Sequence, residues 1–173
     1  MRRSLRQPPP QPSLACGGGS SPSERHGALS PPQAGEGWGG GFATHQHPIR
    51  VYYEDTDAAG IVYHANYLRF AERGRTEMLR SLGHSHTESR KESGIAFVVR
   101  RCAIDYRIPA RLDDALTVDT SVLAVRGALL SLLQEIRRDG ELLVSLDVEI
   151  ACIGREGRAA RLPSALRAML LSK

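Results

Sequence analysis

Apolar residues recur with a sustained helical period along one stretch of this chain. Tyr67, Phe70, Ala71, Gly74, Met78 and Leu82 fall on one stripe of residues 64–82, while Arg69, Arg73, Glu77 and Arg80 point elsewhere. Past Gly94 the period drops to two. Leu116, Val118, Thr120, Val122 and Ala124 share a face opposite Thr117, Asp119 and Ser121. Val144, Leu146, Val148, Ile150 and Cys152 do the same opposite Ser145, Asp147 and Glu149. With residues 96–107 and 129–138 these predict four long strands. Asp139-Gly140 signals a tight hairpin between two of them, and Arg126-Gly127 permits another. Ahead of the helix, residues 49–54 (I-R-V-Y-Y-E) predict a strand running into the turn-rich D-T-D-A-A-G. Gly83 suits the C-terminal cap of the long helix, a short polar helix is expected over 87–93, and Pro163 opens a last one through Leu171. A first strand, one long helix and an antiparallel run of four strands predict an α+β fold, a curved antiparallel sheet wrapped around the helix.

Composition divides the chain near residue 47. Seven of the ten prolines and nine of the seventeen glycines precede it, with almost nothing large and apolar to offset the entropy of ordering them. Residues 1–46 are expected to be a disordered arm, and 47–173 the single folded domain. Arg2, Arg3 and Arg6 are followed by proline and glutamine rather than by an apolar run, so a secretory signal is not expected.

The folded part carries nineteen basic and seventeen acidic residues, so the whole-chain charge of +4 marks no concentrated nucleic-acid surface. Arg100-Arg101 and Arg137-Arg138 lack the aromatic interleaving of a base-stacking face. No apolar run approaches the length needed to span a bilayer. Cys16, Cys102 and Cys152 are odd in number and far apart, the last two in apolar surroundings, which fits a reduced, cytoplasmic setting.

Chemistry concentrates where the first strand meets the helix, Y-Y-E-D-T-D-A-A-G-I-V-Y-H over residues 52–64. Glu54, Asp55 and Asp57 lie close to Gly60, which lets the backbone turn sharply ahead of a helix whose free N–H groups attract developing negative charge. Carbonyl hydrolysis needs such donors plus a group that attacks or activates water, and Asp57 with His64 could supply it. The competing reading is that the acids merely cap the helix. His84-Ser85-His86 has no further ligands at useful spacing for a metal site. Glu72, one position off the apolar stripe, reads first as a structural ion pair and second as a pocket-lining group.

The run V-Y-Y-E-D-T-D-A-A-G-I-V-Y-H-A-N-Y-L-R-F-x-E-R-x-R-T-E-M-L-R resembles the signature of the YbgC-type acyl-CoA thioesterases. These are hotdog-fold proteins encoded with the bacterial Tol–Pal envelope system and related to 4-hydroxybenzoyl-CoA thioesterases. The likeness continues through F-V-V-R-R at 97–101, Y-R-I-P-A-R-L-D-D at 106–114, R-G at 126–127 and R-L-P at 161–163, covering essentially all of 47–173.

The resemblance implies a hotdog pairing into homodimers or homotetramers, with active sites between protomers. It implies hydrolysis of a fatty or aromatic acyl-CoA to free acid and coenzyme A without metal or organic cofactor. Asp57 would be nucleophile or general base, the His64 N–H would hold the carbonyl oxygen, and the His64 ring would assist proton transfer. Tyr53 would hydrogen-bond in the same pocket, Gly60 would let the carbonyl approach backbone, and Tyr63 would line the substrate site. Arg107 or Arg111 would meet coenzyme phosphates. Ala59 stands where the family often has glycine, and Ala128 where a polar residue often follows R-G. The resemblance also allows a peripheral place at the inner membrane. The alternative function is a non-catalytic hotdog that binds an acyl carrier protein or a Tol–Pal-related envelope partner. A hotdog hydratase would want a D-x-N-P-x-x-H run, which this chain lacks.

Overall fold

The long helix forms as α1, His64–Ser81, and one glycine sets how closely it approaches the sheet. A Cβ at Gly74 would stand 2.7 Å from Val118 Cγ1 and 3.3 Å from the Thr120 hydroxyl, so a residue without a side chain is needed at the crossing. Tyr67, Phe70, Ala71, Gly74 and Met78 are buried as the stripe predicts, and Leu79 joins them. Leu82, the cap residue, is only half-buried. The Gly83 N–H bonds Arg80 O at 2.9 Å and the His84 N–H bonds Leu79 O at 2.9 Å, with Gly83 at φ +75°. This paired closure satisfies the last carbonyls of the helix.

The protein's structure, a computed structural model, describes residues 44–171. The arm expected over 1–46 therefore lies outside the described residues as far as residue 43. The first strand, β1 (His45–Arg50), begins two residues ahead of the expected boundary and ends four short of Glu54. Tyr53–Asp55 forms a single 3-10 turn instead of strand. The buried Asp55 carboxylate accepts the Tyr52 N–H at 2.9 Å, and the Asp55 N–H returns to Tyr52 O at 3.0 Å. A local acceptor thus wins over the β propensity of Tyr52 and Tyr53, while Val51 still pairs through its N–H to Asp114 O at 3.1 Å and through its carbonyl to the Asp113 N–H at 3.1 Å.

The remaining elements are α2 (His86–Glu92), β2 (Ala96–Tyr106), β3 (Ala115–Arg126), β4 (Leu129–Arg138), β5 (Glu141–Ile153) and α3 (Ser164–Leu171). The five strands form one antiparallel sheet in the order β1-β3-β4-β5-β2, with α1 packed on β1, β3 and β4. Asp139 (φ 50°) and Gly140 (φ 85°) make the β4–β5 hairpin as their sequence requires. A bulge between Val122 and Ala124 shifts the inward face of β3, so Val125 is buried rather than Ala124. Cys152 is buried, whereas Cys102 is exposed on β2. No described helix is long and apolar enough to cross a membrane.

Helix and sheet are also joined by a polar group in the core. The fully buried Gln134 on β4 donates through Nε2 to Ala71 O and to Thr120 Oγ1, each at 2.9 Å. Its Oε1 accepts from Arg75 Nη1 at 2.6 Å.

His45 and His47 share the β1 face that carries buried Ile49. The His45 Nδ1 is enclosed without a hydrogen-bond partner. Burial, and then the His47 charge, push the His45 imidazole below its ordinary value of 6.5, against a smaller upward pull from Glu77. The unfolded chain therefore binds this proton more readily, so folded-state stability falls as pH drops through about 6.5. Thermal midpoints recorded between pH 7.5 and about 5.5 should decline. In His45→Leu the decline should be shallower over that window; an unchanged slope would rule out His45 as its source.

Candidate active site

Residues 56–62 form a narrow hairpin that presents Asp57. Thr56 bridges Val62, the Asp57 N–H bonds Ile61 O at 2.9 Å, and the Gly60 N–H returns to Asp57 O at 2.9 Å. Gly60 has φ +73°, yet a Cβ there would meet nothing within 4 Å. Backbone conformation, not crowding, demands glycine here. The exposed Asp57 accepts the Ala59 N–H on Oδ1 at 2.8 Å, a side-chain turn that holds the carboxylate in place. Its second oxygen has no hydrogen-bond donor among the described residues.

Neither acid of D-T-D caps α1. Asp55 is engaged with the Tyr52 N–H and Asp57 with that of Ala59. Tyr63, at the N-cap, makes no side-chain bond to the helix. The Tyr63 N–H bonds Asp55 O at 2.8 Å, the Asn66 N–H bonds Tyr63 O at 2.8 Å, and Asn66 Nδ2 reaches Asp55 O at 2.9 Å. The N–H groups of His64 and Ala65 meet no acceptor among the described residues. The positive end of α1 is thus held in place and left open.

A cavity of about 410 Å³ joins the two parts. Asp57 and His64 line it together with Tyr67, Tyr106 and Arg107, and Ile61, Val62, Ile108 and Pro109 supply apolar wall. The Tyr67 hydroxyl accepts the Ala110 N–H at 2.8 Å and so fixes the 108–110 wall, while the Val62 N–H bonds Ala110 O at 2.9 Å. Burial raises the Tyr67 phenol above its ordinary value, keeping it neutral.

Of the residues singled out in the sequence, Asp57, His64 and Arg107 come together here, and Gly60 shapes the hairpin beside them. Arg107 Nε bonds Asp105 Oδ2 at 3.0 Å. The Tyr63 ring lies against the His64 ring, centroids 4.3 Å apart, but is not part of the cavity wall. Tyr53, 82% exposed on the 3-10 turn, and Arg111, whose backbone bridges Ile61, also lie outside the wall of this single chain. Glu72 accepts the Thr76 hydroxyl at 2.8 Å and lines a smaller cavity of about 120 Å³ with Arg75, His86 and Phe97. Tyr67 and Tyr106 are site residues that sequence reasoning misses. The helical stripe assigns Tyr67 to the core, and Tyr106 is forty-two residues from His64, inside Y-R-I-P, where no local spacing relates it to the loop.

The sequence pattern of the thioesterase-like superfamily matches residues 51–170. A probable thioesterase from Bartonella henselae has a solved structure that covers 70% of this chain and 100% of its own, with TM-score 0.68 and 43% identity. The chain belongs to the thioesterase-like superfamily and has its hotdog fold. Within the superfamily it is similar to the acyl-CoA thioesterase YbgC of Haemophilus influenzae, 49% identical over 106 residues, 61% of this chain and 78% of that one. The acyl-CoA thioester hydrolase YbgC of Escherichia coli O6:H1 is 46% identical over 107 residues, 61% of this chain and 79% of that one. The chain is of the YbgC type.

Proposed function

We propose that this chain hydrolyses acyl-CoA thioesters to free acid and coenzyme A, with Asp57 as the reacting carboxylate. The observation that carries the proposal is that Asp57 and the uncapped start of α1 face one cavity. The thioester carbonyl oxygen accepts the His64 N–H, which stabilises the charge that develops there. Asp57 then either attacks the carbonyl carbon or takes a proton from a water that does. In both routes the C–S bond breaks and the thiolate leaves; in the first, water cleaves the resulting anhydride. The His64 ring orients the attacking or leaving group, and Arg107 at the cavity wall offers its guanidinium to coenzyme phosphate. The names of the curated relatives support the substrate class. Full-length protein incubated with short, long and aromatic acyl-CoAs should release free thiol from at least one. Binding of an acyl carrier protein without thiol release from any acyl-CoA would replace hydrolysis by the module reading.

Assembly follows from the edges of the sheet. β1 is six residues long and contains Pro48, features that discourage further pairing. β2 is eleven residues long, has no proline, and exposes Val98 and Val99. We propose that two copies pair along β2, and that Tyr53 and Arg111 reach substrate only in the assembled form. Light scattering at micromolar concentration should give a dimer or tetramer; a fully active monomer would refute the pairing.

A further inference from the structure

One contact holds the His64 end of α1 from outside the catalytic loop. Tyr106, the last residue of β2, donates its hydroxyl to the carbonyl oxygen of His64 at 3.1 Å. Its ring also stands edge-on to the imidazole, with centroids 6.4 Å apart and planes at 85°. The same ring packs edge-on against Tyr67 at 5.8 Å. Just beyond Tyr106, the N–H groups of Arg107 and Ile108 both bond Leu143 O, at 2.9 and 3.2 Å, so this end of β2 is firmly anchored to the sheet.

We infer that Tyr106 is a positioning residue for thioester hydrolysis, tethering the first turn of α1 and the His64 ring to β2 so that the His64 N–H and Asp57 meet one carbonyl. The inference rests on the function proposed above. Its physical basis is a conflict at the helix start. A side-chain cap normally steadies the first turn by accepting the free N–H groups. Here those donors must stay open for the substrate oxygen, and Tyr63 provides no such cap. The Tyr106 hydroxyl resolves the conflict by bonding a carbonyl instead. A carbonyl oxygen has two lone pairs, so it can accept the helical N–H and the phenol together. The donors are left free while the turn they belong to is held. Burial raises the Tyr106 phenol above its ordinary value, so it stays protonated and able to donate.

Tyr106→Phe removes the hydroxyl and keeps the ring, and Tyr106→Leu removes both. On an acyl-CoA that the wild type hydrolyses, assayed well below each variant's thermal midpoint, Tyr106→Phe should lower kcat about tenfold with KM within about twofold. Tyr106→Leu should lower kcat further. Amide hydrogen exchange in Tyr106→Phe should speed up in the first turn of α1 and stay unchanged in its second half. Wild-type kcat in Tyr106→Phe, or a raised KM at constant kcat, would overturn the positioning role, as would unchanged exchange in the first turn. If Asp57→Asn is inactive while Tyr106→Phe matches wild type, hydrolysis at Asp57 stands and the tether falls. If the wild type releases no thiol, the hydrolytic reading and the catalytic part of this inference fall together, and exchange alone judges the tether.

Discussion

Asp57→Asn should lower acyl-CoA hydrolysis by on the order of a hundredfold or more and leave folding intact. The substitution keeps the size of the side chain. Its remaining carbonyl can still accept the Ala59 N–H that now bonds Oδ1 at 2.8 Å, so the hairpin that presents the group survives. What disappears is the charge that attacks the carbonyl or draws a proton from water. Asp55→Asn is the control two residues away, because Asp55 is buried and engaged with the Tyr52 N–H. Its effect belongs to the 3-10 turn and should appear in thermal midpoint more than in turnover. His64→Ala should be intermediate, since the backbone N–H that receives the oxyanion outlasts the ring. Thiol release under saturating and limiting substrate, with circular dichroism for folding, measures all three. Wild-type turnover by Asp57→Asn, with loss in Asp55→Asn instead, would move the reacting carboxylate by two residues.

The parts of this fold that were legible in the sequence are those whose periodicity persists. The stripe on α1 repeats often enough that its buried face follows from side-chain direction alone, and the alternation in β5 survives from Val144 to Cys152. Where a local event interrupts the period, the reading slips. The bulge near Leu123 exchanges Ala124 for Val125 on the inward face of β3, and no residue type announces it. The strand expected over 49–54 overruns the end of β1 because Tyr52 and Tyr53 favour strands, whereas the Asp55 carboxylate takes the Tyr52 N–H and Tyr53–Asp55 closes into a 3-10 turn. The candidate site divides in the same way. Asp57, Gly60 and His64 are neighbours in sequence, so their joint chemistry could be read directly. Tyr106 reaches His64 only because β2 ends beside the start of α1, a relation that sheet order creates and spacing does not.

The largest loss of stability is expected from Gln134→Leu, by about 3 kcal/mol. Leucine nearly matches the volume of glutamine, so the cost is not a cavity. It comes from the groups left behind: the Thr120 hydroxyl and the Ala71 carbonyl lose a donor, and Arg75 loses the acceptor that its half-buried guanidinium reaches at 2.6 Å. No carboxylate lies within ion-pair distance of Arg75 among the described residues, and Glu72, whose charge acts on Arg75 from one turn back, is engaged with the Thr76 hydroxyl. Thr120→Val alone should cost about 1 kcal/mol, because the glutamine amide still has its bonds to Ala71 and Arg75. In the double variant the valine no longer presents an orphaned hydroxyl to the leucine. Its cost should therefore fall short of the sum of the single costs by about 1 kcal/mol, the coupling expected of two groups in one buried network. Urea unfolding at a fixed protein concentration measures the cycle. Strict additivity would mean that Gln134 stabilises the join through Arg75 and the Ala71 carbonyl alone, with the Thr120 bond contributing nothing.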